Sequence, residues 1–199
     1  MFTGIIETVG IITQLKREGT NLHLFVESTI SGELKIDQSI SHDGVCLTVT
    51  RIENDGHWVT AIDETLKKSN LGFIVAGDNV NLERCMIANG RFDGHVVQGH
   101  VDQTGRIISI LEKNGSWLFD VEYDSEPGNI TVEKGSICVN GVSLTCFNSR
   151  ENRFTVAIIP YTFEHTTFGR LKEGDTVNLE FDVIGKYVQR ILKSTSNGM

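Results

Sequence analysis

Two stretches of the chain share a short string and differ at one chemically telling position. Asp43-Gly44-Val45-Cys46-Leu47-Thr48 and Asn140-Gly141-Val142-Ser143-Leu144-Thr145 agree at Gly-Val-x-Leu-Thr, with a thiol at the variable position in one and a hydroxyl in the other. A thiol deprotonates more readily and is the better nucleophile, which makes Cys46 a candidate nucleophile and Ser143 its milder counterpart. No partner base is identifiable by spacing, and a small thiol also packs well in a core, so an inert role for Cys46 stays open. The other cysteines are Cys85, Cys138 and Cys146. None forms a CxxC pair, and neither Cys138 nor Cys146 has a His or Cys within two to five residues, so spacing offers no zinc site. Free thiols are expected rather than a disulfide framework. His95 and His100 lie in Gly94-His95-Val96-Val97-Gln98-Gly99-His100. Their odd separation puts them on opposite faces of an extended segment, which argues against a shared metal.

The doubled string belongs to a longer repeat. A shift of 97 positions lays Gly77-Asp78-Asn79-Val80-Asn81-Leu82-Glu83 on Gly174-Asp175-Thr176-Val177-Asn178-Leu179-Glu180, six of seven identical. Near the start the shift becomes 95, pairing Gly4, Glu7 and Gly10 with Gly99, Asp102 and Gly105. A unit of this size is longer than solenoid or propeller repeats and reads as two tandem domains. The expected boundaries are 1–97 and 98–185, followed by a helix and tail over 186–199. Each half reads as short strands: Leu22, Leu24 and Val26 fall at period two, and Val177-Asn178-Leu179-Glu180-Phe181-Asp182 alternates apolar with polar. Turn signals recur between them, as at Asn114-Gly115 and Glu173-Gly174, which suggests a small sandwich or closed barrel in each half. The polar face Asn178, Glu180 and Asp182 reads as solvated, or else as lining a pocket shared with another domain or subunit. After the repeat, Ile184, Tyr187, Val188, Ile191 and Leu192 follow helical spacing. Such a helix either caps a barrel or joins subunits.

Composition narrows the field. The chain of 199 residues is 39% hydrophobic with a net charge of −8 and no long basic block, a poor match to nucleic acid or an anionic membrane. No run of 18 apolar residues is present to span a bilayer. The first residues lack the basic-then-apolar pattern of a secretory signal, so a cytoplasmic setting is expected.

The same strings resemble the riboflavin synthase family. Met1-Phe2-Thr3-Gly4-Ile5-Ile6-Glu7, the Cys46 and Ser143 strings, Asn81-Leu82-Glu83-Arg84, Gly94 to Asp102 and Ile159-Pro160-Tyr161-Thr162 carry the resemblance in order over about residues 1–190. It implies an all-β fold: two tandem six-stranded antiparallel Greek-key barrels related by pseudo-two-fold symmetry, with a C-terminal α-helix that assembles a homotrimer. It further implies dismutation of two 6,7-dimethyl-8-ribityllumazine molecules to riboflavin and 5-amino-6-ribitylamino-uracil, without metal or redox cofactor. An association with lumazine synthase is a further expectation. By resemblance Gly4, Ile5, Ile6, Cys46, Leu47, Thr48, Thr60, Ala61, Ile62, Asp63, Glu64 and Thr65 match a first-barrel pocket. Gly99, His100, Val101, Lys134, Ser143, Leu144, Thr145, Ala157, Ile158, Ile159, Pro160, Tyr161 and Thr162 match a second. Cys46, Ser143, His100 and Asp182 are the expected catalytic residues. Asn140 is a departure, standing where the family often has Asp; the amide keeps the turn-forming and hydrogen-bonding capacity and loses the charge. The rival function is a non-catalytic lumazine- or flavin-binding chromoprotein of the same fold, which would typically lack the thiol and one binding string.

Overall fold

A computed structural model describes residues 1–196. In the first half β1 (Thr8–Glu18), β2 (Asn21–Glu27), β3 (Ser39–His42), β4 (Val45–Glu53), β5 (Gly56–Ala61) and β6 (Asn79–Arg84) close into a barrel in the order β1-β2-β5-β4-β3-β6. In the second, β7 (Gln103–Glu112), β8 (Trp117–Tyr123), β9 (Ser136–Val139), β10 (Val142–Phe147), β11 (Arg153–Ile158) and β12 (Thr176–Phe181) close in the same cyclic order. Period-two patterning places the cores: Leu22, Leu24 and Val26 fill the first barrel, and Val177, Leu179 and Phe181 the second. Closure removes every free sheet edge. Two elements escaped the sequence pattern. Helices α1 (Asp63–Lys68) and α2 (Pro160–His165), 97 residues apart, lead from the fifth strand of each barrel toward the sixth. At six residues each they are too short to show a helical period.

One barrel interior is less apolar than the other. Ser31, His57 and His42 form a buried chain in the first barrel, with Ser31 Oγ 2.9 Å from His57 Nδ1 and the two Nε2 atoms 3.0 Å apart. The second barrel has Val139 and Phe154 at the matching positions. Burial holds both histidines below the ordinary imidazole range, so the chain is built from neutral rings at neutral pH.

The seam between the barrels is polar, and it corrects the expectation of a solvated face. Asn178 and Glu180 are only 1% and 3% exposed. Asn178 Nδ2 donates to Asp43 O across the seam, and Asn81 Nδ2 donates to Asn140 O, each at 2.8 Å. Asn70 N donates to Asn178 Oδ1 and Thr167 N to Asn81 Oδ1, at 2.7 and 2.8 Å. Within each barrel the side chain of Asp43 or Asn140 accepts from the backbone N–H of Asn81 or Asn178. Both turn residues have positive φ, which Asp and Asn tolerate. The following glycines nearly touch: a Cβ on either Gly44 or Gly141 would lie 2.8 Å from the other's backbone nitrogen. Asn140 therefore serves the seam as a neutral acceptor.

The apolar stripe noted after the repeat lies on α3 (Val183–Ser196), whose N-terminus is capped by Asp182 Oδ1 accepting from Ile184 N at 2.9 Å. Polar residues tie the helix to the second barrel: Lys186 pairs with Asp102 at 2.6 Å, and Gln189 donates to Gly128 O. Ile184, Tyr187, Val188 and Ile191 face outward, the reverse of a helix that caps a core.

Burial raises the Asp43 carboxyl to about 7, partly opposed by hydrogen bonds from Asn81 and Asn70. Its folded value thus lies above the unfolded one, so its charge opposes folding: the favourable contribution is complete below about pH 4 and is lost as pH rises through 7. The double variant Asp43→Asn/Asn70→Thr, which copies the second barrel's Asn140 and Thr167, removes the charge. It should melt higher than the parent at pH 8, by on the order of 2 kcal/mol, with the advantage gone at pH 4. Melting curves at the two pH values check this.

Candidate active site

The segment leading into each barrel reaches across the seam to a strand of the other barrel. Phe2 and Val97 exchange backbone hydrogen bonds of 2.7 and 3.1 Å, so the two lead-in segments pair antiparallel with each other. From there Gly4 O accepts from Ser143 N at 2.8 Å on β10, and Gly99 O accepts from Cys46 N at 2.9 Å on β4. Both glycines have positive φ, and a Cβ on Gly99 would come within 2.5 Å of Cys46 Cβ. Only glycine fits there. A buried carboxylate anchors each segment. Glu83 accepts from Thr3 N, Thr3 Oγ1 and Gly4 N at 2.7, 2.8 and 2.9 Å. Glu180 accepts from Gln98 N at 2.6 Å and from Gly99 N and His100 N at 2.9 Å each. Burial pushes both carboxyls upward and these donated hydrogen bonds hold them down.

Two outward rows of side chains result. On β4, Cys46 and Thr48 face away from the barrel core while Leu47 faces in. Cys46 lies in a groove of about 280 Å³ with Ile62, Glu64, Thr65 and Lys68 on one wall and Gly99, His100 and Val101 on the other. On β10, Ser143 and Thr145 point outward, and Ser143 Oγ lies 2.6 Å from His95 Nδ1. Burial lowers the His95 pKa while the nearby Asp182 carboxylate raises it, the burial being larger. A neutral imidazole hydrogen-bonded to a hydroxyl can take a proton from it or from a bound molecule. The Cys46 groove thus offers a thiol, and the equivalent outward row on the second barrel a serine–histidine pair.

Comparison with known proteins gives this arrangement a family. A family model described as the lumazine binding domain matches residues 3–85 and again residues 98–182. The chain belongs to the lumazine-binding-domain family. A riboflavin synthase of Bacillus subtilis (strain 168) is 43% identical over 193 residues, 96% of this chain and 90% of that protein. A riboflavin synthase of Actinobacillus pleuropneumoniae is 40% identical over the same shares. Among solved structures, LumP complexed with riboflavin matches with a TM-score of 0.83 at 21% identity, over 91% of this chain and 99% of that one. LumP complexed with 6,7-dimethyl-8-(1'-D-ribityl) lumazine gives 0.82 at 20% identity, over 90% and 98%. At that identity the likeness is one of fold.

Each lumazine-binding domain borrows its lead-in from the other, which reverses the grouping expected from sequence. Gly4, Ile5 and Ile6 do not join Cys46: Gly4 sits on Ser143, and Ile6 packs against the second barrel's core. Gly99, His100 and Val101 belong instead to the Cys46 groove. The crossing of the lead-in segments is the cause, and linear order could not disclose it. Leu47, Ala61 and Ile158 point into barrel cores, leaving only their backbone toward the grooves. Thr60 shares its hydroxyl with His23 Nδ1 at 2.9 Å, and Asp63 pairs with Lys67. Ala157, Ile159, Pro160, Tyr161 and Thr162 run from the end of β11 into α2, the counterpart of the Ile62–Thr65 wall. Lys134 stands beyond the far end of the Ser143 row, its Nζ 5.3 Å from the Phe147 ring centre. Spacing offers His95 no partner, because the serine it meets lies 48 positions away. Glu83 and Glu180 carried a usable signal, since both fall in the best-matched string of the repeat.

Glu180→Ala would leave three backbone donors without their acceptor at a cost of about 3 kcal/mol. Thermal melting should fall by roughly 8 °C, and Glu180→Gln, which keeps one acceptor oxygen, should fall by less. An unchanged melting temperature in both would remove the carboxylate from its anchoring role.

Proposed function

We propose that the chain is a riboflavin synthase: it converts two molecules of 6,7-dimethyl-8-ribityllumazine to riboflavin and 5-amino-6-ribitylamino-uracil by transfer of a four-carbon unit. The observation that carries this reading is a pair of equivalent outward positions, one per barrel, with different chemistry at each: a thiol in the Cys46 groove and a serine–histidine pair at Ser143. The curated relatives named riboflavin synthase, similar over nearly the whole chain, support it. A reaction between two identical molecules needs two similar sites that treat them differently. Holding both turns a bimolecular encounter into an oriented one. The reaction requires a nucleophile to add at C7 of one lumazine and a base to take a proton from the 7-methyl of the other. Cys46, with His100 across its groove, serves the first need. Ser143 and His95, beside Asp182, serve the second.

The finer parts of the reading concern assembly. The outward apolar stripe of α3 joins three copies, so that the first barrel of one subunit faces the second barrel of its neighbour. The Cys46 groove and the Ser143 row both lie on the outer wall of their barrels, which suits a reacting pair assembled between subunits. A cytoplasmic setting and an association with lumazine synthase complete the proposal; no helix among the described residues is long and apolar enough to cross a membrane.

Incubation of the purified protein with 6,7-dimethyl-8-ribityllumazine alone should yield one riboflavin per two lumazines consumed. Binding without turnover would make it a carrier instead. Cys46→Ser should lower kcat by about 100-fold with little change in KM, and an unchanged kcat would take the thiol out of the mechanism. Ile184→Glu/Ile191→Glu places charge on the exposed stripe without touching either barrel, and sedimentation should then report single chains in place of trimers.

A further inference from the structure

A lysine stands where a helix least favours one. Lys186 lies in the first turn of α3, near the positive end of the helix dipole, where a cation is unfavourable without a partner. Its partner is outside the helix: Lys186 Nζ lies 2.6 Å from Asp102 Oδ2, with both side chains half-buried. The same carboxylate oxygen accepts from Phe181 N at 2.9 Å, and Asp102 N donates to Leu179 O at 2.9 Å. Lys186 is also near enough to Glu180 to help hold that carboxyl down.

These two carboxylates bracket one short segment. Glu180 takes the backbone N–H groups of Gln98, Gly99 and His100, and Asp102 fixes the chain two residues on. Gly99, His100 and Val101 form one wall of the Cys46 groove. The first barrel holds its own lead-in differently. Glu7, the counterpart of Asp102, accepts from Arg84 N at 2.7 Å and pairs with the Arg84 guanidinium, on β6 of the same barrel. At the matching position of β12 stands Phe181, buried in the second core, where no cation fits. The charge that a strand supplies in one barrel therefore comes from α3 in the other.

We propose that Lys186 is a positioning residue of the Cys46 groove: from α3 its ammonium holds the segment that carries His100, so that the wall of the groove depends on the docking of a helix outside both barrels. It touches no substrate and acts through Asp102 and Glu180. The inference rests on reading the Cys46 groove as a reacting site, and it gives α3 a part in the reaction separate from its outward apolar stripe.

Amide hydrogen exchange of the full chain reads the segment directly. Lys186→Met should quicken exchange at Gly99 and His100 by about tenfold. Thr3 and Gly4, whose lead-in relies on Arg84, should exchange as before. Lys186→Arg keeps the charge and should restore most of the protection. The same change should appear in the Ile184→Glu/Ile191→Glu background, which separates the effect from assembly. With 6,7-dimethyl-8-ribityllumazine, Lys186→Met should lower kcat by about tenfold with KM little changed, and adding Asp102→Asn should cost nothing more. Unchanged exchange at Gly99 and His100, or exchange that quickens equally at Thr3 and Gly4, overturns the proposal. So does quickened exchange with kcat intact, or an arginine variant no better than the methionine one. If the parent chain makes no riboflavin, the enzymatic reading falls, while exchange at His100 still decides whether Lys186 holds the wall.

Discussion

Two buried carboxylates hold this molecule together where function is built. Glu83 and Glu180 each gather donors from a lead-in segment with no regular secondary structure of its own, tying it to the last strand of the barrel it precedes while its glycine carbonyl reaches across to a strand of the other barrel. A carboxylate in an apolar interior is costly unless its lone pairs are filled, and here backbone amides fill them. The same arrangement holds Gly4 on Ser143 and Gly99 on Cys46, at distances that exclude any larger residue. Everything that distinguishes a functional groove from a plain barrel wall follows from this crossing.

The crossing also explains how a duplicated fold acquires two chemistries. Symmetry fixes the positions: a small outward residue on β4 or β10, a glycine lead-in opposite it, and a helical wall. The residues at those positions then diverge. Cys46 meets His100, whereas Ser143 meets His95, and α1 presents an ion pair where α2 presents stacked rings. The seam shows the complementary case, in which divergence leaves geometry intact: Asp43 and Asn140 occupy equivalent turns and accept equivalent hydrogen bonds with different charge.

Much of this was legible in the residues. Periodicity of two gave the strands, the 97-residue shift gave the two halves, and the Cys46/Ser143 difference pointed to the grooves. What escaped notice shares one physical feature: it depends on contacts between segments far apart in the chain. Asn178 and Glu180 alternate as a solvated face would, yet the other barrel covers them. His95 gains meaning only from a serine on β10. The pairing of Gly4 with Ser143, and not with Cys46, depends on a crossing that local pattern does not encode. Six-residue helices leave too little period to read, although one of them, α1, supplies a wall of the Cys46 groove.

The central claim is that crossed lead-in segments create two unlike sites for one substrate. A crystal structure of the protein with an unreactive analogue of 6,7-dimethyl-8-ribityllumazine tests it most directly. The account predicts one analogue beside Cys46 and His100 and a second beside Ser143 and His95 in every chain. An analogue bound between Cys46 and the Gly4 segment, or a single analogue per chain with the second groove empty at saturation, would contradict it.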